Sequence, residues 1–151
     1  MSRRGLRLKL VSVGRERSDP AAPLVADYAA RIRKFVPFEE AVLKLDAAER
    51  VAARMRREAA RAQLLVALDE RGEQLDSRQL AARVGGWMNR GLDEVVFAIG
   101  GPDGLPPGIR EEAGLLLGLS RLTLPHRLAR LVLVEQLYRA LAILRNVPYQ
   151  K

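Results

Sequence analysis

A short apolar run, Val95-Val96-Phe97-Ala98-Ile99, stops abruptly at Gly100-Gly101-Pro102-Asp103-Gly104. The run is uncharged, is too short for a buried helix, and reads as an interior strand. Glycine can take positive φ and lets other groups approach its backbone, while Pro102 stiffens the turn between them. Open α/β sheets place ligands at glycine-rich turns on the carboxyl ends of strands. Further along, Leu119–Leu124 reads as another strand, ends at Pro125 and leads into a long helix. Two such turns side by side would make one pocket.

The rest of the chain supplies an alternation of strands and helices. Leu8–Val13 (LKLVSV) ends at Gly14 and reads as a first strand. Asp19-Pro20 is an N-cap followed by proline, which opens a helix running to about Phe35. Phe38–Leu45 reads as a second strand, and Asp46-Ala47-Ala48-Glu49 has the spacing of a capping box. The helix it opens, to about Ala62, carries Arg50, Arg54, Arg57 and Arg61 on one face. That stripe is either phosphate-facing or a solvated surface; the lack of an interleaved aromatic to stack bases favours the second. Leu64–Leu68 is apolar throughout and predicts a central strand, ending in a turn at Asp69-Glu70-Arg71-Gly72. Asp76-Ser77 caps a helix to about Arg90, stopped by Gly91, and a short helix is expected from Pro106 or Pro107 to near Leu117. The last helix, about His126 to Asn146, is apolar on nearly every side, so it needs cover on every side. A chain of 151 residues has little else to cover it with, which predicts a homodimer with this helix at the interface. The expected fold is a single α/β domain with a mostly parallel sheet.

Charge points to a polyanion. The net charge is +8, and it is uneven: residues 1–63 hold 15 Lys/Arg against 8 Asp/Glu, residues 64–151 hold 11 against 10. A basic front half beside a nearly neutral back half suits an RNA-facing surface joined to a separate pocket. The chain has no cysteine and one histidine, which rules out disulfides and argues against a zinc site. No apolar run is long enough to span a membrane or to form a secretory signal, so the expected location is the cytoplasm. The glycine turn is neither a P-loop nor a dinucleotide fingerprint. Ser120 and His126 lack the elbow of a nucleophilic triad, and a packing or capping role suits His126 at a helix start.

Taken together, FAIGGPDGL, LDERGEQLDSRQLA and LSRLTLPHRLARLVLVEQLYRALAILRNVPYQK closely resemble the ribosomal RNA large subunit methyltransferase H family, small SPOUT-class enzymes. The resemblance runs from Leu8 to the C-terminus. It implies one SPOUT domain over 1–151, a deep C-terminal trefoil knot over about 95–146, and a homodimer. It implies S-adenosyl-L-methionine as methyl donor, held by Leu68, Gly100 and Gly101, and Leu119, Ser120, Arg121, Leu122, Thr123 and Leu124. Glycine at 100 and 101 would let the donor come close. The implied acceptor is N3 of a pseudouridine in helix 69 of 23S ribosomal RNA on assembled ribosomes. Arg139 and Tyr149 would lie nearest the acceptor, with His126 the next candidate. Arg139 could steady developing charge on the uracil oxygens, or could simply pair with Glu135 one turn earlier. The family's tail reads close to PYH and then a basic residue, whereas this chain ends Pro148-Tyr149-Gln150-Lys151. Gln150 cannot accept a proton as histidine can. That departure leaves open a catalytically weak ribosome-binding module, or a SPOUT methyltransferase with a different RNA acceptor.

Overall fold

The computed structural model describes residues 5–14 and 19–149. Along the chain run β1 (Arg7–Val13), α1 (Ala22–Ile32), β2 (Phe38–Leu43), α2 (Ala48–Glu58), β3 (Leu64–Gln74), α3 (Ser77–Asn89), β4 (Glu94–Ala98), α4 (Ile109–Glu112), β5 (Leu115–Gly118) and α5 (His126–Leu144). The strands form one sheet in the order β2-β1-β4-β3-β5, and every pairing is parallel. Both faces of a parallel sheet are covered by helices, which is why β4 has no polar alternation. Leu8, Leu10, Val66, Val95 and Phe97 face α1, α3 and α5, while Val11, Val13, Val96 and Ala98 face α2 and Ile109 of α4. Lys9 interrupts β1 without cost because its ammonium reaches Glu58 of α2 at 2.9 Å.

The interior position expected for β3 is observed, between β4 and β5. Several boundaries differ from the sequence expectation: α1 ends at Ile32 rather than about Phe35, β2 at Leu43 rather than Leu45, and α2 at Glu58 rather than about Ala62. The fifth strand is Leu115–Gly118 rather than Leu119–Leu124, and the preceding helix stops at Glu112 instead of Leu117. Gly114 N–H donates to Leu65 O at 2.9 Å and sets the register, so the leucines at 115–117 pair with β3. Residues 119–125 form a loop in which Ser120 Oγ accepts the Leu122 N–H at 2.9 Å, and Leu122 stands 75% exposed. The expected turn at Asp69–Gly72 is an irregularity inside β3, which resumes pairing with β5 at Glu73. Gly72 is needed there, because a Cβ would lie 2.7 Å from the Leu116 backbone.

The helix caps divide in the same way. Asp76 forms a full capping box with Gln79, each side chain bonding the other's backbone N–H at 2.8 Å. Gly91, at φ +72, ends α3. Asp46 forms no capping box: it accepts from Ala47 N–H at 2.7 Å and pairs with Arg50 at 3.3 Å and Arg54 at 3.1 Å. Asp19 accepts from Ala21 N–H in a turn before α1, which starts at Ala22 with Pro23 in its first turn. α5 packs on α1 and α3, burying Ala129, Leu133, Val134, Leu137, Ala140 and Leu141, and leaves Leu128 and Ile143 exposed at 48% and 40%.

Candidate active site

The carboxyl ends of β3, β4 and β5 open on one cavity of about 700 Å³. Its first wall is Leu68–Arg71, where β3 leaves its register. The second is Ile99–Gly108 and the start of α4, and the third is the loop after β5, closed by Pro125, His126 and Ala129 of α5. Of the residues expected to hold a donor, Leu68, Gly100, Gly101, Leu119, Ser120, Leu122, Thr123 and Leu124 line it; Arg121 does not. His126 joins them, and a Cβ on neighbouring Gly14 would lie 3.6 Å from its Nε2.

The two glycines also have a purpose within the protein itself. A Cβ on Gly100 would lie 2.2 Å from the Gly104 carbonyl carbon and 2.4 Å from Leu105 N. A Cβ on Gly101 would meet Val13 at 3.2 Å. Both glycines therefore let the turn fold against the protein itself, closed by Gly104 N–H donating to Gly101 O at 2.9 Å.

Polar side chains tie the walls together. Arg110 Nε pairs with Asp69 Oδ2 at 3.1 Å, joining the second wall to the first. Thr123 Oγ1 donates to Glu70 Oε2 at 3.0 Å, joining the third to the first. Arg56 of α2 holds Glu112 at 2.8 and 3.0 Å and donates to Pro107 O at 3.0 Å, which fixes the second wall from outside. This hydrogen-bonded pairing lowers the Glu112 carboxyl and raises the Arg56 guanidinium relative to their ordinary values. Asp69, Glu70, Arg71 and Arg110 all border the cavity and escaped the sequence reading, because Asp69-Glu70-Arg71-Gly72 looked like an ordinary turn.

Arg139 and Tyr149 are elsewhere. From His126 to Arg139 the helix rises about 20 Å, at roughly 1.5 Å per residue, and neither Arg139 nor Tyr149 borders the cavity. They meet at Glu135, whose Oε2 accepts from Arg139 Nη2 and from the Tyr149 hydroxyl, both at 2.7 Å. The pairing of Arg139 with Glu135 anticipated as the plainer alternative is thus present. The Arg139 guanidinium also lies 4.5 Å from the Tyr149 ring centre, and that ring stands edge-on to Tyr138 at 4.8 Å. Burial, with the Tyr28 hydroxyl at 3.1 Å and the Glu135 carboxylate, pushes the Tyr149 phenol far above its usual value. Gln150, the departure from the family's tail, lies outside the described residues. Among the described residues no group of His, Asp and Glu could hold a metal ion, and no helix is long and apolar enough to cross a membrane.

A parallel α/β sheet with a roomy pocket framed by three loops at its carboxyl end belongs to the class that binds nucleoside-type ligands there. The family profile described as "Predicted SPOUT methyltransferase" matches residues 6–150, and the chain belongs to this family. Its relatives narrow the class. It is 46% identical to ribosomal RNA large subunit methyltransferase H of Anaeromyxobacter sp. (strain Fw109-5), over 97% of this chain and all of the relative. It is 42% identical to the protein of the same name from Sorangium cellulosum (strain So ce56), over 95% of this chain and 99% of the relative. Among solved structures, a probable methylase family protein from Haemophilus influenzae Rd KW20 shares the fold, with TM-score 0.60 and 12% identity over 97% of this chain and 70% of that one.

Proposed function

We propose that this chain is an S-adenosyl-L-methionine-dependent methyltransferase that methylates N3 of a pseudouridine in helix 69 of 23S ribosomal RNA on assembled ribosomes, acting as a homodimer. The observation that carries this reading is the three-walled cavity, because the donor-binding segments implied by the family resemblance converge on it. The cavity also suits the donor chemically. About 700 Å³ is within the range of cofactor sites. Leu68, Leu117, Leu119 and Leu124 give apolar surface for a purine ring, and the backbone of the two loops gives N–H and C=O groups for its edge. The donor, when bound, supplies a methyl group on a sulfonium centre that is already a strong electrophile. What remains for the protein is orientation of the acceptor and help with the proton on N3.

For that proton the cluster around Glu135 supplies defined roles. Tyr149 keeps its proton at neutral pH, since its phenol titrates far above the usual range, so it serves as a hydrogen-bond donor and not as a base. Arg139 cannot lose its proton either, and its charge steadies the negative charge that develops on the uracil oxygens. Glu135 holds both in place.

In a single chain the cavity sits at the start of α5 and this cluster along its second half. An isologous dimer that packs two α5 helices antiparallel, through the exposed Leu128 and Ile143, would bring the cavity end of one chain to the Arg139–Tyr149 end of its partner. The homodimer expected from the helix's apolar composition thus gains a catalytic reason. The deep trefoil knot over about 95–146 belongs to the same reading. Its support is the loop after β5, which lies against the β3 irregularity through Thr123 and Glu70.

The test is transfer of labelled methyl from S-adenosylmethionine to ribosomes from a strain lacking this gene, followed by mass spectrometry of the nucleosides. N3-methylpseudouridine is expected. Label on another nucleoside would replace the acceptor, and no label at all, with ribosomes still bound, would leave a non-catalytic module.

A further inference from the structure

We propose that the outer ridge of α2 is a docking surface for the phosphodiester backbone of an RNA helix. Val51, Ala52 and Met55 bury one side of α2 against the sheet, while Arg50, Arg57 and Arg61 stand exposed on the opposite side with Arg54 beside them. Successive members are three or four residues apart, so they follow one line along the helix and the turn after it. Arg50 and Arg54 share the carboxylate of Asp46, and Glu49 in the first turn of α2 balances the remaining charge, so the excess positive charge of the ridge lies at Arg57 and Arg61. Arg57 and Arg61 have no ion pair among the described residues. Glu58, the nearest acidic residue, is occupied by Lys9 on the sheet side.

The position of the ridge gives it a purpose. α2 starts at the carboxyl end of the sheet, where the cavity opens. Gly14 N–H donates to Leu43 O at 2.9 Å, and a Cβ on Gly14 would touch both Leu45 and the cavity's His126. The ridge therefore begins beside the cavity mouth. Arg56 turns off the ridge to hold Glu112 and Pro107, so the same helix that would grip RNA also fixes the wall of the cavity. No aromatic residue lies on α2. That argues against base stacking and leaves contacts to phosphates, which position a nucleic acid without reading its sequence.

This inference rests on RNA being the substrate, and the experiment separates the two. The fluorescently labelled full-length protein is titrated with purified ribosomes at several KCl concentrations and fixed magnesium. Wild type is compared with Arg57→Gln/Arg61→Gln and with Arg78→Gln/Arg90→Gln, which removes equal charge from exposed positions of α3 on the other face of the sheet. Counterion release contributes a factor of about 8 per phosphate contact at 0.1 M salt. The α2 pair should therefore weaken binding by up to about 60-fold and lower the salt slope by about 2, with S-adenosylmethionine affinity unchanged and the α3 pair close to wild type. Wild-type binding by the α2 pair, or equal loss in both pairs, overturns the docking surface and leaves the methyltransferase reading intact. A wild-type protein that binds S-adenosylmethionine but no ribosomes overturns both.

Discussion

Alanine scanning of the glycine turn separates a turn that needs its glycines for its own closure from one that needs them for a ligand. At Gly100 the added methyl would lie 2.2–2.4 Å from three backbone atoms of Gly104 and Leu105, so the turn itself must move. Overpacking of this kind costs about 3 kcal/mol or more. At Gly104 nothing lies within 4 Å, but φ is +84, and a side chain there costs about 1–2 kcal/mol in backbone strain. At Gly101 the methyl meets only the Val13 side chain at 3.2–3.3 Å and its carbonyl at 3.5 Å, a contact relieved by a few tenths of an ångström, so roughly 1 kcal/mol or less is expected. For a chain of this length about 1 kcal/mol moves the melting temperature by about 2–4 °C. Gly100→Ala should thus melt about 6–12 °C below wild type without any ligand, Gly104→Ala about 2–8 °C below, and Gly101→Ala within about 4 °C. Calorimetric titration with S-adenosylmethionine should then show binding lost in Gly100→Ala and largely kept in Gly101→Ala. If the ligand-free melting temperatures are equal while only affinity falls, the self-packing account of these glycines is wrong.

Other expectations follow from the Glu135 cluster and from α5. Glu135→Gln removes the charge shared by Arg139 and Tyr149; hydrogen bonds to charged groups contribute about 1.5–3 kcal/mol. A double-mutant cycle with Arg139→Ala, read by thermal melting, should show coupling of at least about 0.5 kcal/mol, while S-adenosylmethionine affinity stays at the wild-type value. Tyr149 has its phenol raised, so its contribution to stability is fully present below the ordinary tyrosine value of 10.0 and is lost only as pH climbs beyond it. Ultraviolet titration should show a last, most alkaline phenolate step that disappears in Tyr149→Phe. If the chain pairs through α5 as proposed, Leu128→Glu/Ile143→Glu should sediment as a monomer where wild type sediments as a dimer, and should lose methyl transfer while keeping donor binding.

The sheet was legible because its strands carry their own signal: Leu64–Leu68 and Val95–Ile99 are apolar throughout, and both lie inside the sheet. The last strand was not. Leu115–Leu119 is the more apolar run, yet Leu119–Leu124 reads as the strand because it ends at Pro125 before the long helix, and a short apolar run cannot by itself be told from a helix segment. Gly114 and Gly118 decide it through contacts with Leu64, Gly72 and Asp69 that lie far away in sequence. The same holds for the caps: Asp46 and Asp76 both precede a helix with a polar partner three residues on, yet Asp46 is drawn to Arg50 and Arg54. For the site, resemblance picked eight residues that do line the cavity, whereas Asp69 and Arg110 were invisible because their pairing depends on how β3 breaks its register.

The separation between His126 and Arg139 carries the most weight for how such a small chain could work. The motifs LTLPH and EQLYRA are close in sequence, which suggests one site, but α5 is a continuous helix and a helix is a rod. His126 and Arg139 stay about 20 Å apart along its axis whatever the loops do. The chain after α5 does not carry Tyr149 across that gap, because its hydroxyl is tied to Glu135 and Tyr28. Either Arg139 and Tyr149 have no part in the chemistry, or the second half of the site comes from another chain. Mixing two inactive variants decides between them. One carries Gly100→Ala, with its donor pocket broken; the other carries Arg139→Ala, with its acceptor cluster broken. If the halves belong to different chains, a mixed dimer contains one site with both halves intact, and up to about a quarter of wild-type activity should return on mixing. If Arg139→Ala alone keeps wild-type activity, Arg139 has no part in the chemistry and the dimer has another use.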